Sequence, residues 1–316
     1  MTDRGSEASS PSAPSVAGIF VPTLAIVDDA GRLNEDEAAR HIAWTLDRGA
    51  AGVYPNGSTG EFLRLDDATQ DRITEIAVAT VGDRGTVLAG ASGGTAALAL
   101  RRVRVAADRG CRVAAVVAPF YYRLGDDTVE AFYRELAADS PIDLLLYNIP
   151  LFASPIAVDV VARLALDCPR IIGIKDSSGD LAHMQRMLSA VRPQRPEFAF
   201  LTGWDNVLAS MLLLGCDGGT HAAANVVPEV LVQIRESVLD GDLQTARPLQ
   251  AGLATLFDAM IGTGEFPDGF RIAAAARGLA TRPGLLPRSE SDQQALDALA
   301  ARMPELLEPF AAILQD

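Results

Sequence analysis

The sequence predicts a (β/α)8 barrel with a C-terminal helical extension, and three observations carry that expectation. Eight short apolar runs alternate with amphipathic stretches from about Gly18 to residue 240. Several runs are apolar at consecutive positions, as strands covered on both faces must be. No GxGxxG follows the first run, which disfavours the alternative of an open, doubly wound sheet.

In chain order the apolar runs are GIFVPTLAI (18–26), AGVYPNG (51–57), TVLAGAS (86–92), RVAAVVAPF (112–120), IDLLLYNIP (142–150), RIIGIKD (170–176), FAFLTGW (198–204) and CDGGTHA (216–222). The intervening stretches read as helices. Asn34 with Glu37 has the spacing of a capping box ahead of Ala38, Ile42 and Leu46 at i, i+4 and i+8. Asp127 with Glu130 repeats that spacing around Val129, Phe132, Tyr133 and Leu136. Strand and helix repeating eight times over about 200 residues is the arithmetic of this barrel. From Leu243 the pattern is all helical, with Gly/Pro breaks near Gly262–Pro267 and Arg282–Pro287. The expected organisation is therefore a tail over 1–15, a barrel over 16–240, and a helical region over 241–316 packed on it. The tail, MTDRGSEASSPSAPS, is Ser/Pro/Ala-rich without an apolar h-region, and reads as disordered, not as a signal peptide.

Composition narrows the function classes. The 316 residues carry a net charge of −14, so an electrostatic grip on nucleic acid or on an anionic membrane is not expected. No run of 18 apolar residues exists to span a bilayer. Cys111, Cys168 and Cys216 are far apart and odd in number, which suits a reducing cytoplasm better than a disulfide framework. No HxH or HExxH spacing suggests a catalytic metal, and no metal or other cofactor is expected.

Of the 27 basic residues, 26 are arginine, and Lys175 is the single lysine. Drift in an arginine-favouring genome is one explanation. The other is chemical: a guanidinium stays protonated, whereas an amine can lose its proton and attack a carbonyl. In a barrel the reactive groups gather where the strands end, because the βα loops converge on one mouth. Lys175 ends the sixth run, Tyr147 the fifth and Tyr121 with Tyr122 the fourth, while GSTGE (57–61) follows the second and Trp204-Asp205 end the seventh. In GSTGE, Gly57 and Gly60 allow consecutive N–H groups to face one point, and Ser58 and Thr59 add hydroxyls, an arrangement suited to a carboxylate. A plain helix-capping turn would use the same residues.

The motifs GSTGE, PFYY (119–122), YNIP (147–150), GIKDSSGD (173–180) and GCDGG…ANVVPE (215–229) occur in order. The chain resembles the dihydrodipicolinate synthase/N-acetylneuraminate lyase family of pyruvate-dependent class I aldolases, from about residue 18 into the C-terminal helices. The resemblance implies that Lys175 forms a Schiff base with pyruvate or another 2-oxo acid, and that Tyr147 shuttles protons. It further implies that Thr59 and Tyr121 link Tyr147 to solvent, with Ser58 as the hydroxyl neighbour. Ser58, Thr59 and the Gly57 turn would bind the substrate carboxylate. A tyrosine matching Tyr121 crosses a subunit interface in relatives, so a homodimer or homotetramer is expected.

Substrate choice is less determined. The synthase branch carries an arginine two residues after YNxP, and Phe152 stands there, although Arg123 is near enough in sequence to substitute. Sialate lyases place a glutamate after the strand-seven aspartate, where this chain has Asn206, and a hydroxyl where it has Ala222. The remaining polar set is Ser177, Asp205, Asn206 and, as an open alternative, His221, near Gly203 and beside apolar Phe152 and Trp204. A short 2-keto-3-deoxy sugar acid suits that balance, with aldol cleavage to pyruvate and an aldehyde preferred. Dehydration of such an acid comes next, then the synthase condensation. A non-catalytic 2-oxo acid-binding barrel comes last, because lysine and tyrosine are both present. His41 and His183 read as surface or packing residues, and Gly218-Gly219 as weak evidence for a phosphate site.

Overall fold

A computed structural model describes residues 16–28, 31–280 and 284–314 of the protein. The expected tail at 1–15, and part of the break expected at 282–287, lie outside the described residues. The eight apolar runs each contribute one strand: β1 (Gly18–Val21), β2 (Gly52–Val53), β3 (Thr86–Gly90), β4 (Val113–Val117), β5 (Asp143–Asn148), β6 (Ile171–Asp176), β7 (Ala199–Thr202) and β8 (Gly218–Thr220). They pair in sequence order, all parallel, and close into a barrel where Gly18 meets Gly218 and Phe20 meets Thr220. Glycine is required at that seam, since a Cβ on Gly218 would lie 2.0 Å from the Gly18 carbonyl oxygen. The close packing of strands, and not a ligand, accounts for this glycine.

The strands carry side chains on both faces. Phe20, Tyr54, Leu88, Val113, Ala115, Leu145, Tyr147 and Leu201 fill the barrel interior. The outward-facing residues pack under the helices α1 (Glu35–Asp47), α2 (Asp67–Val81), α3 (Ala96–Asp108), α4 (Asp126–Asp139), α5 (Val158–Asp167), α6 (Leu181–Val191), α7 (Leu208–Leu214) and α8 (Pro228–Leu239). Consecutive apolar residues in the strands follow from this double burial.

The two capping boxes read from spacing fare differently. Asn34 does cap α1, accepting the Glu37 N–H at 3.3 Å, but the Glu37 carboxylate turns to Arg40 and to the N–H of Ala280 instead of closing the box. At α4 the box does not form. The chain enters through Gly125, so Asp127 already sits in the first helical turn, and Glu130 is engaged by Arg134 and Arg163. Acidic residues in a first turn complement the helix dipole without capping it. His41, on α1, is a packing residue: it is 1% exposed, and burial lowers its pKa to about 4.

Three further helices, α9 (Leu243–Ile261), α10 (Asp268–Ala276) and α11 (Glu290–Leu307), follow the barrel. Leu253, Leu256, Phe257, Phe270, Met303 and Leu306 share one apolar cluster with Leu208, Val227 and Val230 of the barrel's outer layer. One polar contact reinforces this docking. Arg271 of α10, 1% exposed, donates to the carbonyl of Ala25 at 2.7 Å and pairs with the buried Glu61 carboxylate at the end of GSTGE. Removing one partner of a buried pair costs roughly 3–5 kcal/mol when the other charge is left alone; here the cost is smaller, because Arg64 also pairs with Glu61 at 2.6 Å. Arg271→Met should therefore lower the unfolding free energy measured in urea by roughly 1–3 kcal/mol, with a lower midpoint, and the double variant with Glu61→Gln should recover part of it. An unshifted midpoint would mean the pair does not hold the extension to the barrel.

Candidate active site

Strand register brings the two principal side chains together. Tyr147 of β5 is the direct partner of Lys175 on β6, so both occupy one layer of the barrel interior. The neighbouring pair, Asn148 and Asp176, faces the other way and locks that register. Asn148 Nδ2 donates to Asp176 Oδ1 at 2.6 Å, and the same carboxylate accepts from the Ser178 hydroxyl at 2.7 Å. Burial raises the pKa of Asp176 against the opposing pull of these donors. The second letter of YN and the D of KD thus have a structural task.

Lys175 is 5% exposed, and its Nζ lies 4.1 Å from the centroid of the Tyr147 ring and 4.7 Å from that of Tyr54. Among the described residues no carboxylate pairs with it. Tyr54, at the end of β2, stands edge-on to Tyr147 with centroids 5.9 Å apart, and its burial pushes its hydroxyl pKa well up, so it is a neutral wall. It was missed in the sequence, where only its strand-end position could have marked it.

The lysine opens into a cavity of about 260 Å³ lined by both faces of the mouth. Ser58, Thr59, Tyr147, Ser177, Asp205 and Thr220 supply the polar lining besides Lys175. Apolar lining comes from Leu151, Phe152 and Trp204, and from Phe257, Ile261 and Phe266 of the C-terminal region. The contribution of the extension was not visible in the sequence, because the helical periodicity of 243–261 reads as packing alone.

The hydroxyl that reaches Tyr147 is that of Ser58, with Oγ 3.3 Å from the phenol oxygen. This reverses the expected order of the two hydroxyls: Thr59 lines the cavity, 5% exposed, but has no hydrogen bond to Tyr147. The reason lies in the turn. Gly60 and Glu61 donate their N–H groups back to the carbonyls of Gly57 and Ser58, at 3.1 and 3.0 Å, and so fix Ser58 toward the barrel axis. Among the described residues, neither Ser58 nor Thr59 has a backbone acceptor for its own N–H, which leaves both available to an anion. Gly57 is packed beneath, where a Cβ would meet the Tyr54 ring at 3.1 Å.

Several other expected residues are placed differently. Tyr121 is 89% exposed, adopts φ +75°, packs on Tyr122, and lines an adjoining apolar pocket instead of the lysine cavity. Within one chain it does not approach Tyr147. Asn206 turns away, donating to Asp258 of α9 at 2.7 Å, because the tight turn at Asp205–Val207 sends successive side chains in different directions. His221 is fully buried but does not line the cavity; strand alternation points it outward, with Nδ1 3.5 Å from Asp205 Oδ2. Asp205 does line it, its Oδ1 accepting the Ala223 N–H at 2.8 Å. Arg123 is exposed and does not line the cavity of the single chain. Gly203 is where Lys175 needs room: a Cβ there would lie 2.9 Å from Lys175 Cε and 2.0 Å from Ser177 Oγ.

Among the described residues there is no group of three or more His, Cys, Asp or Glu able to hold a metal ion, and no helix long and apolar enough to cross a membrane.

Comparison with known proteins agrees with this architecture. The model of the dihydrodipicolinate synthetase family matches residues 15–305. A 4-hydroxy-tetrahydrodipicolinate synthase of Methanospirillum hungatei is 32% identical over 268 residues, covering 84% of this chain and 90% of that protein. A protein of Escherichia coli K12 named probable 2-dehydro-3-deoxy-D-pentonate aldolase is 31% identical over 242 residues, covering 76% of this chain and 80% of that protein. Among solved structures, a prophage protein of the same family from E. coli K12, in complex with pyruvate, superposes with a TM-score of 0.86 at 27% identity, over 92% of this chain and 98% of that one. Matched over nearly its whole length, the chain belongs to the dihydrodipicolinate synthetase family and is a lyase of the pyruvate-dependent class I aldolase type.

Proposed function

We propose that the protein cleaves a 2-keto-3-deoxy sugar acid to pyruvate and an aldehyde through a Schiff base on Lys175. The observation that carries this reading is the cavity itself. It holds one amine beside a phenol–hydroxyl pair, and among the described residues Asp205 is the only other ionisable side chain of its lining apart from Tyr147. The Lys175 amine adds to C2 of the 2-oxo acid, and loss of water gives an iminium. With the iminium as electron sink, the C3–C4 bond breaks as the C4 hydroxyl gives up its proton, releasing the aldehyde and leaving an enamine. Protonation at C3 and hydrolysis then free pyruvate and the amine. In this reading Tyr147 carries the protons, relayed through Ser58, whose hydroxyl lies 3.3 Å from the phenol, and the N–H groups of Ser58 and Thr59 hold the substrate carboxylate.

The synthase reaction suits this cavity less well. Aspartate semialdehyde brings a second carboxylate, and the acceptor side presents Leu151, Phe152, Trp204 and Phe266, with no arginine in the cavity lining among the described residues; Arg64 lines the adjoining pocket and is paired with Glu61. Burying a carboxylate against that wall without a partner would be costly. An assembly of two or four copies belongs to this reading, and Tyr121, 89% exposed in the single chain, is the residue expected at its interface. The test is a panel of 2-keto-3-deoxy acids assayed for pyruvate release, run beside pyruvate plus aspartate semialdehyde. Pyruvate release from at least one sugar acid is expected. Condensation with the semialdehyde and no release, or dehydration without release, would replace cleavage by those reactions.

A further inference from the structure

Thr220 is a cavity residue that the sequence reading passed over. β8 sets Gly218 opposite Leu201 of β7, and Leu201 is opposite Lys175 of β6, so these residues share a layer. Thr220 stands two residues beyond Gly218, on the same inward face and one layer nearer the mouth. The Lys175 side chain rises to that layer, because its Cε comes within 2.9 Å of where a Gly203 Cβ would be. Gly203 and Thr220 are successors of the Thr202–Gly219 register pair, so the hydroxyl lies one strand beyond the gap that the lysine enters.

Thr220 is 1% exposed, and its Oγ1 has no hydrogen-bond partner among the described residues. Its polar neighbour in the lining is engaged elsewhere: Asp205 Oδ1 takes the Ala223 N–H, and Oδ2 faces His221. An unpaired buried hydroxyl costs stability that the isosteric valine would not, so its presence needs a reason outside the folded chain alone. A ligand in the cavity supplies one.

We propose that Thr220 determines specificity, its hydroxyl hydrogen-bonding an oxygen carried by the substrate chain beyond C3 while C2 is held at Lys175. The inference rests on the Schiff-base reading above and narrows it: hydroxylated 2-oxo acids are taken in preference to deoxygenated ones of the same length. A site built around a buried hydrogen bond rejects an analogue that lacks the group, because the site's own polar atom is then left unpaired.

The experiment traps adducts with borohydride and weighs the protein. Half-saturating concentrations for total adduct, intact and cleaved, are compared for 2-oxopentanoate and 4-hydroxy-2-oxopentanoate, with pyruvate as reference. The wild type should favour the hydroxylated acid roughly tenfold, the size of one well-made hydrogen bond. Thr220→Val should bring that ratio close to one, without lowering the melting temperature, and Thr220→Ser should keep most of the preference. A ratio near one in the wild type, or a preference surviving in Thr220→Val, overturns the inference alone. No adduct with pyruvate in the wild type overturns the Schiff-base reading and this inference together.

Discussion

Lys175→Arg should abolish turnover, with a fall of roughly 10⁴-fold or more, while leaving the fold intact. A guanidinium cannot lose its proton under physiological conditions, so the variant keeps the charge and loses the nucleophile. Losses of that size are usual when the group that forms the covalent bond is removed. Stability is expected to hold, because no carboxylate among the described residues depends on Lys175 for its charge balance. The longer side chain does press on the Gly203 gap, so Lys175→Met serves as a second variant that fits the same space. Pyruvate-release assays beside thermal melts check this. Turnover above about one-hundredth of wild type in both variants would remove the lysine from the chemistry.

Tyr147→Phe carries the next largest effect. The substitution deletes one oxygen and preserves the ring, so the edge-on contact with Tyr54 and the face presented to Lys175 persist. Proton transfer by a positioned side chain contributes roughly 10²–10⁴-fold, and the loss should fall in that range. Adduct formation with pyruvate should continue more slowly, since water can supply the proton for loss of the carbinolamine hydroxyl, whereas cleavage needs a base positioned at the C4 hydroxyl. Ser58→Ala should cost less, because Ser58 acts through Tyr147 at 3.3 Å and a water can occupy its place. Single-turnover trapping against steady-state pyruvate release separates the two steps. A Tyr147→Phe variant with undiminished release would assign the proton transfers elsewhere.

Much of this was legible in the sequence because barrel geometry turns order into position. Eight apolar runs in succession, each followed by a helix, place Tyr147 and Lys175 on adjacent strands by counting alone, and the register pair is as the count required. Legibility ended where direction depends on local turns. The exchange of Ser58 for Thr59 follows from two backbone hydrogen bonds inside GSTGE, which no residue identity announces. Asn206 and His221 adjoin strand ends, a position that makes one a candidate site residue and the other an open alternative, yet a tight turn sends Asn206 to α9 and strand parity sends His221 behind Asp205. Thr220 was overlooked for the opposite reason: a lone threonine between glycines and a histidine has no motif, and only its unpaired, buried hydroxyl marks it. The closing wall of Phe257, Ile261 and Phe266 is a tertiary contact of distant segments, beyond the reach of any local pattern.

The uniqueness of Lys175 makes the central claim unusually direct to test. Besides its own α-amino group, the chain has one primary amine able to form an imine. Wild-type protein incubated with pyruvate, reduced with borohydride, digested and weighed should show a single reduced adduct on the peptide bearing Lys175, at close to one per chain. An unmodified Lys175 peptide, with the adduct absent or confined to the N-terminus, would contradict the account.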